Sequence, residues 1–376
     1  MPPGLRKTNV PANVRQKALA VTDGWVGMPT DLPAMAPYFP DTLAASPFTT
    51  YVFGFRDVTD LDRTQVEAQA GKAQISAPLL EISVGQELWV TLSNLGLLTR
   101  PDLVDSHTLH WHGFRNAIPF YDGVPETSIS VPIGRDFTYV YRPQDAGTYM
   151  YHCHFEDVEH VTMGMTGIIF VRPAGHPKWA YDDSTTAFDR EYALMLTDMD
   201  LAGHWNDAHI QTSDWTDYRP DVWLINGRAY PDTLEDSYNP LHTYPAGSTQ
   251  DRLKYQPQGS RIEAHPGEIV LLRVAHLGSV RHTITVDGVP LHVVGADASQ
   301  LKNPDGSDNS YWTNGIDLGP GESRDVLFTA PGVGEYLIYD RNVQNLTNNG
   351  GAGYGGMLTK LIVKPANEPI TAQTVV

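Results

Sequence analysis

Short runs of β-branched and aromatic residues, bounded by Gly, Pro, Asn and Asp, recur along the chain, while apolar residues at the 3.6-residue period of a helix are scarce. That pattern predicts an all-β protein built from sandwiches or barrels. Strands are expected within "PLLEISVGQELWVTLSNLG" (78–96), "FTYVYRP" (137–143), "TGIIFVRP" (166–173), "EIVLLRVAHLG" (268–278) and "YLIYDRN" (336–342).

The pattern also repeats. "LEISVGQELWVTLSNLG" (80–96) lies over "IEAHPGEIVLLRVAHLG" (262–278), with Gly85 on Gly267. "AGTYMYHCH" (146–154) lies over "VGEYLIYDR" (333–341), and "GMTGIIFVRP" (164–173) over "GMLTKLIVKP" (356–365). Three matches in one order predict two copies of a single β domain. The expected organisation is a Pro-rich extended arm over 1–48, a first domain over 49–175, and a linker with a second domain over 176–376.

The length of 376 residues suits that division. Twenty-six basic against forty-four acidic residues give a net charge of −18, which argues against nucleic acid and anionic membrane surfaces as partners. No apolar run approaches the roughly 20 residues of a membrane helix, and "MPPGLRKTNVPANVRQKALA" lacks the apolar core of a secretory signal. The one cysteine, Cys153, cannot form a disulfide within the chain and is free for other chemistry.

Cys153 stands in "TYMYHCHFEDVEHVTMGMTG" (148–167), and a second histidine cluster lies in "SHTLHWHGFRN" (106–116). On a strand, side chains alternate faces, so His110 and His112 point one way and His107 the other. His152 and His154 likewise share a face that Cys153 opposes. Parity alone predicts two sites. One gathers His110, His112, His152 and His154; the other gathers Cys153 and His107, joined by His160 and Met165 from the following loop. A thiolate, two imidazoles and a thioether form the ligand set of a blue-copper electron-transfer site, whereas zinc more usually takes carboxylate, water or another Cys in place of Met.

These motifs, with "PFYDGVPETSISVPIGRDFTYVYRPQDAGTYMYHCH" (119–154) and "LINGRAYPDT" (224–233), resemble the laccase-like multicopper oxidases of two-domain type, with the blue copper in the first domain. The resemblance implies two cupredoxin-like Greek-key domains. It implies type 1 copper on His107, Cys153, His160 and Met165, a type 2 ligand in His110, and type 3 ligands in His112, His152 and His154. It further implies single-electron oxidation of a small molecule or metal ion, with O2 reduced to water. Asp122 matches an acidic residue that the family places near its cluster to help deliver protons; as an Asp before Gly it also reads as a turn residue. The family expectation for assembly is a homotrimer, and for location the periplasm or the exterior.

The second copy departs from the family. A trinuclear cluster there takes eight histidines, and the first copy supplies four. In "RHTITVDG" (281–288), Thr285 and Asp287 stand at the places of His110 and His112, and the H-C-H motif falls on Tyr339, Asp340 and Arg341. Missing ligands could come from His276, His282 or His292, or from a second subunit. Otherwise the chain is an electron carrier or copper-binding protein with an incomplete cluster. A copper nitrite reductase is the other alternative, although that family places Asp at the position of His110 and lacks the second His of H-C-H. Glu156, Asp157 and Glu159 flank His160 and predict an acidic edge that steers cationic donors.

Overall fold

The computed structural model describes residues 4–30, 32, 38, 40–44, 49–115 and 117–373. The remaining parts of the predicted arm, at 1–3, 31, 33–37, 39 and 45–48, lie outside the described residues. The first domain is built from β1 (Val14–Gly27), β2 (Thr49–Asp57), β3 (Leu80–Ser83), β4 (Glu87–Asn94), β5 (His110–His112), β6 (Asp136–Tyr141), β7 (Gly147–His152) and β8 (Thr166–Arg172). They form two sheets, β2-β1-β4-β6 and β3-β8-β7-β5. Leu88, Val90 and Leu92 alternate inward along β4 and meet Tyr149, Tyr151 and Ile169 of the facing sheet, which is the period-2 burial of a sandwich.

The second domain follows with β9 (Arg190–Met199), β10 (Val222–Ile225), β11 (Ile262–Ala264), β12 (Ile269–His276), β13 (His282–Val286), β14 (Leu291–Ala296), β15 (Ser299–Gln300), β16 (Tyr311–Thr313), β17 (Ile316–Leu318), β18 (Ser323–Thr329), β19 (Gly334–Asp340) and β20 (Leu358–Val363). Its sheets run β10-β9-β12-β18-β14-β15, with β16 also on β14, and β11-β20-β19-β13-β17. The repeat recurs in the pairing. β4 lies parallel to β1 and antiparallel to β6; β12 lies parallel to β9 and antiparallel to β18. Gly85 and Gly267 turn the chain at equivalent places with φ of +88° and +83°, a conformation costly for any residue with a Cβ.

One expectation needs correction. Residues 14–27, read as part of an arm, are β1, hydrogen-bonded to β2 on one side and β4 on the other. Ala18, Leu19, Ala20 and Val21 are all buried, so the strand shows no alternation, and the charges of Arg15 and Lys17 interrupt its apolar run. A strand covered on both faces lacks the period-2 signal by which strands are recognised.

The two domains share a core. Val26, Met28, Val52 and Ile75 of the first pack with Met199, Leu201, Val222 and Leu224 of the second. Between them the buried Arg273 guanidinium donates to Glu191 Oε1 at 2.7 Å and to Thr148 Oγ1 at 3.0 Å, which ties β12 to β7. This seam fixes the second domain against the histidine face of the first.

Candidate metal centre

His107, Cys153 and His160 are buried together. His107 enters from the stretch before β5, where its backbone bridges Val131, and Cys153 follows the last residue of β7. His160 comes from the helix Asp157–Thr162. Cys153 Sγ lies 3.7 Å from His107 Nδ1 and 3.3 Å from His160 Nδ1. The Thr108 N–H also points at the sulfur, at 3.4 Å. Met165 closes the group through its backbone, accepting from Cys153 N–H at 3.3 Å and donating to His160 O at 3.0 Å, with its side chain in the core. Burial, and then the neighbouring His160, push the His107 pKa well down. Burial also opposes charge on His160, but Asp105 and the Cys153 sulfur outweigh it and push that pKa up to about 10.

The second group sits on the opposite face of the same strands, as the alternation of side chains requires. In the register of β5 on β7, His110 faces His152, which brings His110, His112 and His152 together. His110 Nδ1 meets the Asp122 carbonyl at 2.6 Å, and His152 Nδ1 meets the Cys153 carbonyl at 2.8 Å. These contacts fix each ring through Nδ1 and leave Nε2 as the nitrogen that would bind a metal. His112 Nδ1 is 3.3 Å from His152 Nε2, and the His154 ring stands 5.0 Å from that of His110. Burial lowers the pKa values of His110 and His112, and takes His152 down to about 3. Neutral imidazoles with free lone pairs are the form that binds metal.

Asp122 contributes its carbonyl to His110, while its carboxylate is 3.7 Å from the same nitrogen. The four imidazoles open into a cavity of about 440 Å³ between the domains, walled on the far side by Thr197, Asp198, Tyr218, Ser279 and Gly321.

The acidic edge divides. Glu156 joins Asp105 beside His160, whose Nε2 faces Asp105 Oδ2 at 3.7 Å. Asp157 does not stand with them: it lines the interdomain cavity. Glu159 turns to Asp207, whose pKa rises to about 7 through burial and through this neighbour, against the pull of Arg100. The physical reason is that 157–162 is a helix, so successive side chains fan out by about 100°. Sequence reasoning missed Asp105, which lies two residues before His107 in a stretch outside any strand.

Residues 56–176 and 191–360 each match a family pattern described as multicopper oxidase. Laccase-13 of Arabidopsis thaliana is 30% identical over 305 residues, 77% of this chain and 45% of that protein. L-ascorbate oxidase of Nicotiana tabacum is 28% identical, over 68% of this chain and 41% of its own length. The chain belongs to the multicopper oxidase family. It spans less than half the length of these curated relatives. Among solved structures, the blue copper oxidase of Nitrosomonas europaea superposes with a TM-score of 0.67 at 21% identity, covering 96% of this chain and 97% of that one. A copper nitrite reductase of the same organism superposes at 0.60 with 15% identity, covering 96% and 98%. At these identities both likenesses show the cupredoxin fold alone.

The family's coppers can be tested against these residues. An ion about 2.0 Å from each nitrogen and about 2.3 Å from a sulfur holds N and S roughly 3.5–3.8 Å apart. The His107 distance of 3.7 Å falls in that range and the His160 distance of 3.3 Å just below it, so the buried His-Cys-His group fits type 1 copper. The chain's own second domain does not complete a trinuclear cluster at the second group. His276 engages the carbonyls of Leu196 and Val280 at 3.2 and 2.6 Å, and His292 bonds Ser310 while stacking on Trp312. His282 pairs with Asp340. The multicopper oxidase histidines that sequence offered as replacements are therefore engaged elsewhere.

Proposed function

We propose that this multicopper oxidase takes single electrons from a small reductant at a type 1 copper held by His107, Cys153, His160 and Met165, and passes them to the histidine pocket, where O2 is the acceptor. When bound, copper supplies the one-electron redox couple. The chain's own residues do the rest. Cys153 carries the reading: its sulfur belongs to the first group, and its carbonyl accepts from His152 Nδ1 of the second at 2.8 Å. One residue thus joins the two sites through a few covalent bonds and one hydrogen bond. Burial of Cys153, His107 and His160 keeps water from the sulfur. Asp105 and Glu156 place negative charge where a cationic donor or a metal ion would approach His160.

A second reading, an electron carrier, is favoured because, among the described residues, the second-domain wall of the cavity carries no imidazole. Oxygen uptake separates the two. Copper-loaded protein mixed with a reductant should consume O2 in step with donor oxidation. If the blue colour bleaches and no O2 is consumed, the chain is a carrier.

A further inference from the structure

We propose that His110, His112 and His152 bind a single copper ion, not part of a trinuclear cluster, and leave a fourth coordination position open to the interdomain cavity for water or a small anion. The proposal deepens the function above by assigning the metal content of its acceptor site.

Three observations carry it. First, the three imidazoles are set for one ion. Backbone carbonyls hold Nδ1 of His110 and His152, leaving Nε2 of each as the nitrogen for a metal, and the three candidate ligand atoms lie within 4.8 Å of one another. The 3.3 Å between His112 Nδ1 and His152 Nε2 is the separation of two nitrogens that share one tetrahedral ion at about 2.0–2.1 Å. Three histidines and an open position are also the ligand count of a catalytic mononuclear site.

Second, the ligands for further ions are missing. Three coppers would have to share the four imidazoles of this face, too few to give each ion a stable shell. Among the described residues, the only second-domain carboxylate lining the cavity is Asp198, and both its oxygens accept hydrogen bonds: Ser279 N–H donates to Oδ2 at 2.7 Å and Ser279 Oγ to Oδ1 at 3.0 Å. Its charge favours a cation nearby, and one carboxylate does not replace the four imidazoles that the family's cluster would need from this side.

Third, the side of the cavity facing the histidines is walled by the chain's own second domain. Gly321 of that wall lies against His112: a Cβ added there would sit in ordinary contact with its Cε1, at 3.4 Å. The shared core and the Arg273 tie hold that wall in place. Among the described residues, that wall carries no imidazole of its own.

The test is a metal count on the full chain, reconstituted with Cu(II) and desalted, with paramagnetic resonance, visible spectrum and molecular size recorded on one sample. We expect about two coppers per chain, one blue and one ordinary, with the resonance intensity accounting for both. Azide should shift the ordinary signal and leave the blue band unchanged. A His110→Ala, His112→Ala double variant should fall to about one copper and stay blue, the colour showing that it has folded. Four coppers per chain, in a monomer or an oligomer, would overturn the proposal, as would a resonance-silent coupled pair or a count the double variant does not lower. Loss of the blue band with the azide-sensitive signal retained would instead sink the function proposed above and leave this site standing.

Discussion

His282 Nδ1 lies 2.6 Å from Asp340 Oδ2 in the core of the second domain, at the places that His107 and Cys153 hold in the first. The registers correspond: His110 faces His152 across β5 and β7, and Thr285 faces Tyr339 across β13 and β19. A carboxylate has taken the place of the thiol, and a direct pair stands where a metal would bridge. Asp340 also accepts from the backbone N–H groups of Thr283 and Asn342 and from Asn345 Nδ2. Burial works against its charge, yet His282 and these donors together hold its pKa below the usual carboxylate range. Asp340→Ala should therefore cost about 3–5 kcal/mol, because it leaves His282 and its neighbours buried without their acceptor. Denaturant unfolding checks this.

The same pair sets a pH dependence. A carboxylate whose folded pKa is depressed contributes stability above its unfolded value, about 3.9, and loses it as pH falls through the folded value. Acidification below about pH 4 should thus weaken the second domain. Asp340→Asn should start less stable and lose less over that window. Equal slopes for the two proteins, followed by tryptophan fluorescence, would remove the pair from the acid transition.

Cys153→Ser tests the first site. An alcohol is a poor ligand for copper in this geometry, and the blue colour depends on the thiolate. The variant should lose its blue absorption and its electron uptake, with one copper fewer per chain than the parent. An unchanged visible spectrum would mean that another group produces the colour.

Much of this was legible in the sequence because a strand has only two faces. Parity separated His107 and Cys153 from His110, His112, His152 and His154, and the protein brings the members of each set onto one side. Where residues leave the strand, parity stops working: Asp157 belongs to the cavity because a helix turns it there. β1 was hidden for the opposite reason, as burial on both faces erased its alternation. The degenerate positions of the second copy could be aligned, but the contact between His282 and Asp340 joins residues 58 apart. No local pattern reports it.

Asp105 should matter to the donor side. Its carboxylate is 3.7 Å from His160 Nε2, with Glu156 close by, so a cationic donor meets negative charge there. Asp105→Asn should slow oxidation of cationic donors several-fold at low salt, on the order of 1 kcal/mol, and leave neutral donors nearly unaffected. Stopped-flow rates against ionic strength measure both. If cationic and neutral donors respond alike, the carboxylate acts on the metal site and not on approach.

Gly123 offers a way to disturb the histidine pocket and spare the blue site. It has a φ of +78°, and a Cβ there would clash with Leu109 O and meet His110 N at 2.7 Å. Both are backbone atoms that cannot swing aside, so Gly123→Ala must displace either β5 or the turn that carries Asp122. The backbone strain adds about 1 kcal/mol before any clash is counted. The Asp122 carbonyl, which sets the His110 ring, moves with that turn. Copper bound in the pocket should then be lost or weakened by tenfold or more, as when a metal ligand loses the group that orients it. The His107, Cys153 and His160 group touches neither Gly123 nor Asp122 in its hydrogen bonds, so the blue band should persist. Titration with a copper chelator, followed at the blue band and by resonance of the second copper, resolves the two sites. Loss of both signals together would mean that the strand, and not the turn, had given way.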